Sequence, residues 1–201
     1  MVYFRWTQSE YIDQHKKINN WYLEKMFFVD QDPWDFKSGT SIESRDINAT
    51  AIFRSETIYS DFPFTAFDVP VYSTKLKMLM EKHEPNSIQY LPLKIINENN
   101  NKHVNGYYIA NYLNKIDCLD RINSKYEAWT KENLMFLKDR PQMLYTFRDI
   151  QKVVLDSKKI SNNKIFRLWG WDVMIIVRED IKNIIEAANI IGCNFNKIET
   201  T

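Results

Sequence analysis

The segment that most limits the fold is "EDIKNIIEAANII", residues 179–191. Ile181, Ile184, Ile185, Ala188 and Ile191 recur at helical spacing and form one apolar stripe. Glu179 and Asp180 stand at the start, where the positive end of a helix favours carboxylates. Gly192 stands where a left-handed C-cap is expected. "DVMIIV" before this helix and "CNFNKIE" after it read as strands, so a strand–helix–strand unit closes the chain.

Most of the remaining chain is strand-like. "VYFRW" and "WYLEKMFFV" are aromatic and β-branched N-terminal strands, and "DQDPWDFKSGTSIESRD" is a loop by its Asp, Pro, Gly and Ser content. "ATAIFRSETIYSDFPFTAF" stays ambiguous between elements, with Asp61, Pro63 and Asp68 marking a hinge into the larger part. Ser73 caps a helix over "STKLKMLMEKH", which the following "EPN" ends. "IQYLPLKII" is a strand that Pro92 pushes toward a sheet edge or a bulge. The polar run "NENNNKHVNG" makes a long turn into the strand "YYIANYL", a hairpin. "MLYTF", "KVVLD" and "IFRL" are short strand candidates, and residues 124–137 carry mixed short elements. The order predicts an α+β protein with a mixed or antiparallel sheet and a few packed helices. Residues 1–63 read as a strand-rich acidic segment and 64–201 as the α+β core, two parts that one continuous domain could also contain.

Composition narrows the function classes. A chain of 201 residues buries roughly 70% of its unfolded surface without disulfide or metal staples. With 44% hydrophobic and 26% charged residues it is globular, and with 4 glycines it lacks a glycine-rich phosphate loop. A net charge of +1 excludes a surface-wide nucleic-acid field. The charge is uneven, however: up to Val69 there are 7 basic and 11 acidic residues, against 20 and 15 in the remainder. An acidic first third suits a cationic partner or a solvated acidic surface. The opening "MVYFRWTQSEYIDQHKK" has no apolar leader core, and no apolar run approaches the roughly 20 residues of a membrane span. A soluble, cytoplasmic protein is expected. Cys118 and Cys193 suit a reducing compartment as small buried hydrophobes.

Four stretches carry candidate chemistry. In "YYIANYLNKIDCLD", Asp117, Cys118 and Asp120, with His103, are the set for a metal-dependent or acid–base enzyme. The structural alternative has both aspartates accepting backbone N–H groups at a turn while Cys118 and Leu119 point inward. In "DQDPWDF", Asp30, Asp32, Trp34 and Asp35 make a protein-binding tip, unless Trp34 folds back over the core edge. In "RLWGWD", Trp169 and Trp171 share one side of a strand and pack in the core, with Gly170 permitting a bend. "KKISNNKIFR" offers Lys158, Lys159, Lys164 and Arg167 around Phe166, for phosphate contact or as a solvated loop. No Walker, dinucleotide-binding, zinc-protease, paired-cysteine or nucleophile-elbow motif is present. No catalytic, cofactor or metal residue is assigned on this basis.

The succession "FDVPVYSTKLKMLME", "IQYLPLKII", "GYYIANYLNKIDCLDRINSKY" and "NKIFRLWGWDVMIIVREDIKNIIEAANIIGCNFNKI" resembles the eleventh catalogued family of bacterial polymorphic-toxin immunity proteins. The resemblance covers roughly residues 64 to 198. It implies a cytoplasmic protein that binds and neutralises a cognate toxin, with no catalysis and no cofactor, while the charge and the short apolar runs lead to no nucleic-acid or membrane partner. It also implies that "IDCLD" is a framework segment. The acidic first third fits a basic toxin such as a nuclease.

Overall fold

The structure, a computed structural model, describes residues 1–13, 18–19, 21–28, 32–43, 49–53, 59–65, 68–133 and 143–201. In chain order the first strands are β1 (Tyr3–Gln8), β2 (Tyr11–Asp13), β3 (Ile18–Asn19), β4 (Tyr22–Leu23), β5 (Lys25–Phe28), β6 (Ala49–Phe53), β7 (Phe64–Thr65) and β8 (Val71–Ser73). Helix α1 (Thr74–His83) follows, then β9 (Ile88–Asn97), β10 (Lys102–Tyr112), β11 (Lys115–Ile116), β12 (Lys125–Ala128) and β13 (Phe147–Lys152). β14 (Val154–Leu155), β15 (Ile165–Leu168), β16 (Ile175–Arg178), helix α2 (Glu179–Ala187) and β17 (Cys193–Thr200) complete the chain. The protein is α+β, as the sequence pattern predicts.

Two sheets carry the fold. The larger has the order β11-β15-β16-β1-β17-β14, and the smaller β5-β6-β9-β10-β8. β1 lies antiparallel between β16 and β17, with Trp6 opposite Ile175 on one side and Phe195 on the other. β6 runs parallel to β9. Strands from before residue 64 are thus built into both sheets. The period-2 alternation of side chains decides which face each residue buries. On β10, Tyr107 and Ile109 face outward into a cluster with Trp21, Leu23, Phe36 and Phe53. Ala110 and Tyr112 face the opposite way, toward Trp6, Ile165, Ile175 and Val177 of the larger sheet. The far face of that sheet buries Tyr3, Phe166 and Ile176 against Cys118, Leu119 and Leu155. Both sheets therefore have cores on both faces, and α1 and α2 share the middle one through Leu76, Met80, Ile181 and Ile185.

Local expectations fare unevenly. Ser73 caps α1, its hydroxyl accepting from the Leu76 N–H at 3.2 Å. α2 is shorter than its apolar stripe, and Asn189, not Gly192, takes the left-handed position after its last turn (φ +50°). An asparagine tolerates that conformation because its short side chain is polar. At Pro92 the strand β9 has β10 for a neighbour and lies beyond the β6 register, which spans Lys94 to Asn97 of β9. The proline thus sits at a local edge, beside a register shift in β10 between Val104 and Tyr107. The hairpin turn is shorter than the polar run suggests, because Lys102 already pairs with Asn97. "MLYTF" is not a strand: residues 143–146 form turns and the strand starts at Phe147.

Candidate partner-binding surface

Of the "DQDPWDF" tip, Asp30 lies outside the described residues, while Asp32, Trp34 and Asp35 form a tight turn. The Asp35 N–H donates to the Asp32 carbonyl at 2.9 Å and the Lys37 N–H to the Trp34 carbonyl at 2.9 Å. These bonds close a short 3-10 helix over Asp35–Lys37. The two carboxylates stitch its start: Asp32 Oδ1 accepts from the Trp34 N–H at 2.9 Å, and Asp35 Oδ2 from the Asp32 N–H at 3.2 Å. Phe36 is driven into the core, and Trp34 is left 43% exposed between two surface carboxylates.

Buried and half-buried polar groups fasten this turn to both sheets. Asn111 of β10 donates to the Thr40 carbonyl at 2.8 Å. Gln89 of β9 exchanges two bonds with the backbone of Ile42, at 2.9 and 2.7 Å. Gly39 adopts φ +82°, which strains any L residue, and a Cβ there would press on the Lys115 stem, 2.6 Å from Cδ. Lys115 in turn pairs with Asp172 at 2.8 Å. Beneath the turn lies Arg167 of β15, fully buried. Its guanidinium donates to the Phe36 carbonyl at 3.3 Å and to the Asp172 carbonyl, and it lies 5.1 Å from the Tyr112 ring centroid.

The electrostatics follow from burial. Desolvation lowers the proton affinity of Arg167, and Tyr112 and Asp172 oppose that effect. The guanidinium nevertheless stays charged, as arginine does in proteins. Lys37 is also buried, with its ammonium 4.6 Å from the Trp34 ring centroid. Desolvation pushes its pKa down, and the Asp68 carboxylate partly restores it. The cation holds the indole from below by a cation–π contact. Sequence reading missed Lys37 and assigned Arg167 to a basic surface stretch rather than to the interior. The signal for Arg167 was its place in "IFRL", where alternation sends it to the same face as the apolar Ile165.

The other candidates resolve differently. Cys118 and Leu119 are fully buried, and burial pushes the Cys118 thiol up to about 12, which opposes nucleophilic use. Asp120 accepts from the backbone of Ile122 and Asn123 at 3.0 and 3.1 Å and from the Asn123 amide at 2.7 Å. Asp117 pairs with Arg121 at 2.9 Å. His103 is separated from this loop by most of β10, roughly 30 Å of extended strand. The set suggested for a metal-dependent enzyme does not converge. Among the described residues no three His, Cys, Asp or Glu side chains cluster as a metal site. Of the basic stretch, Lys159 faces Asp156 at 3.8 Å and Lys164 pairs with Glu84 at 2.8 Å. Arg167 leaves that surface altogether. Trp169 and Trp171 occupy turns after β15 rather than a strand and are half-buried, with Gly170 at φ +80° making the bend.

The chain matches the family model of the Immunity protein family (Imm11) over residues 54–200. No curated protein matches it. With most of its length covered, the chain belongs to the Imm11 immunity protein family. Membership suggests a toxin-neutralising role and implies a toxin as binding partner. Among the described residues no helix is long and apolar enough to cross a membrane.

Proposed function

We propose that this protein binds a cognate toxin domain in the bacterial cytoplasm and neutralises it without catalysis, through the turn that carries Asp32, Trp34 and Asp35. The family match over residues 54–200 carries the reading. The turn precedes the matched residues. A tryptophan held outward on a rigid turn fits the usual anchors of tight interfaces. Two flanking carboxylates and an acidic first third favour a basic partner, such as a nuclease domain, by steering its approach. Inhibition then follows from covering the toxin's active site or from holding the toxin in an inactive form.

The test is co-expression with the toxin domain encoded in the adjacent reading frame. Growth should be rescued, and the purified domains should form a complex that elevated salt weakens. Failure to rescue growth together with failure to bind would remove the proposal. Binding unaffected by Trp34→Ala would keep the function and discard this turn as its site.

A further inference from the structure

The Trp34 turn does not stand alone at its end of the molecule. One buried guanidinium, that of Arg167, donates to the carbonyls of Phe36 and Asp172, one from each of two surface turns. Lys115 provides a second tie, packing against Gly39 and pairing with Asp172. The Trp169–Asp172 turn extends further to the loop before β13, since the Phe147 N–H donates to the Gly170 carbonyl at 2.9 Å. That loop holds Tyr145, which is 65% exposed, in a left-handed conformation (φ +68°). A bulky aromatic residue rarely adopts that conformation unless its surroundings impose it, and here it projects the ring into solvent. The Tyr145 N–H donates to the Trp129 carbonyl at 3.1 Å, which brings in another half-buried indole. Of six tryptophans, Trp6 and Trp21 are buried in the cores, and the other four lie along this chain of turns.

Resting on the toxin-binding reading above, we infer that these turns form one docking surface for the toxin domain, running from Trp34 across Trp171 to Tyr145. Its ties to both sheets make it pre-organised, so little conformational freedom is lost when a partner binds. Charge selects the occupant. Among the described residues at this end, Lys115 and Arg148 lie against Asp172 and Glu127 and Lys37 is buried beneath Trp34, which leaves Asp32 and Asp35 as the exposed charges of the Trp34 margin. A second copy meeting this patch about a two-fold axis would bring those carboxylates toward like charge. A toxin domain with cationic side chains around an apolar recess suits it better.

Hydroxyl-radical footprinting of the full chain, free and with the toxin domain from the adjacent reading frame, tests the surface. Trp34, Trp171 and Tyr145 should all become protected, while exposed Met78 on α1 stays reactive. Tyr145→Ala, a change at an exposed site, should weaken the complex by about fivefold or more. Protection of Trp34 alone, with Tyr145→Ala neutral, overturns the extended surface and leaves the Trp34 site standing. A complex that protects none of the three overturns both sites. Protection of the same residues through self-association of the free chain assigns the surface to a second copy and overturns the inference. Absence of any complex removes the toxin-binding reading and this surface with it.

Discussion

Two four-residue stretches of this chain share a spacing and diverge in use. Asp32-Pro-Trp-Asp35 and Asp117-Cys-Leu-Asp120 each place two carboxylates around two central residues. In both, an aspartate satisfies backbone N–H groups of its own turn, as short acidic side chains do where a chain leaves regular structure. The central residues make the difference. Cys118 and Leu119 point into the far core of the larger sheet, and the Asp156 N–H donates to the Cys118 carbonyl at 2.8 Å. Trp34 points out, above a lysine buried beneath its ring. Paired aspartates therefore say little about function. The direction of the side chains between them says much more, and it is set by the surrounding sheets.

Exchanging the roles of the two turns is the strongest way to break this contrast. Leu119→Ala should cost about 3 kcal/mol of stability in denaturant unfolding, since it leaves a cavity in a closed core. Below the unfolding transition it should leave toxin binding intact. A loss under 1 kcal/mol would mean that this segment is not the framework described. Trp34→Ala should behave in the opposite way. Binding should fall by about 2 kcal/mol, roughly 30-fold in Kd by titration calorimetry. Stability should change by about 1 kcal/mol or less, because the indole is already half in water. Equal effects on stability and binding would erase the distinction.

How far the sequence foretells this contrast depends on which residues are asked. Periodicity is local, so both helices, the Ser73 cap and the strands "VYFRW" and "YYIANYL" are legible before any coordinates. The inward placement of Cys118 and Leu119 is anticipated as well, as the structural alternative for that stretch, because free Cys and Leu are among the most often buried residue types. Arg167 is hidden for a different reason. Its neighbours Lys158, Lys159 and Lys164 suggest a basic surface, while its burial arises from β11, β16 and the Trp34 turn, which converge on it from distant parts of the chain. Tyr145 is hidden similarly: its aromatic neighbourhood reads as a strand, and the loop places it at positive φ. Surface turns joined by long-range contacts leave no period in the sequence.

Arg167 sharpens the comparison at a smaller scale, because it supports the Trp34 turn and touches nothing in the Asp117–Asp120 loop that the structure records. Arg167→Met keeps much of the volume and removes the donors to Phe36 and Asp172. Two buried carbonyls then lose a partner while a desolvated cation disappears, and these effects partly offset. A net loss of about 1 to 2 kcal/mol is expected. Amide exchange should accelerate at Lys37 and Ser38, whose N–H groups close the turn, and should stay unchanged at Asp156, which is bonded to Cys118. Uniform acceleration across both sites would show that Arg167 stabilises the whole fold rather than one turn.

The smallest effect belongs to Asp120 and separates the two turns by pH. Hydrogen bonds from the Asn123 side chain and backbone hold its carboxyl at about 2, below the ordinary 3.8. Among the described residues, no side-chain amide or hydroxyl donates to Asp32 or Asp35 as Asn123 and Thr201 do to Asp120. A carboxyl with a depressed folded-state pKa stabilises the native state above its unfolded value, and that contribution fades as pH falls through the folded one. The native chain should therefore lose part of its stability between about pH 4 and pH 2 through this group. Asp120→Asn should be slightly less stable at pH 7 and should show a flatter melting temperature across that window. Parallel slopes for the variant and the native chain would mean that the Asp120 bonds count for nothing in solution. In that case the Asp117–Asp120 turn would owe its shape to the buried Cys118 and Leu119 and to backbone bonds such as that from the Asp156 N–H to the Cys118 carbonyl.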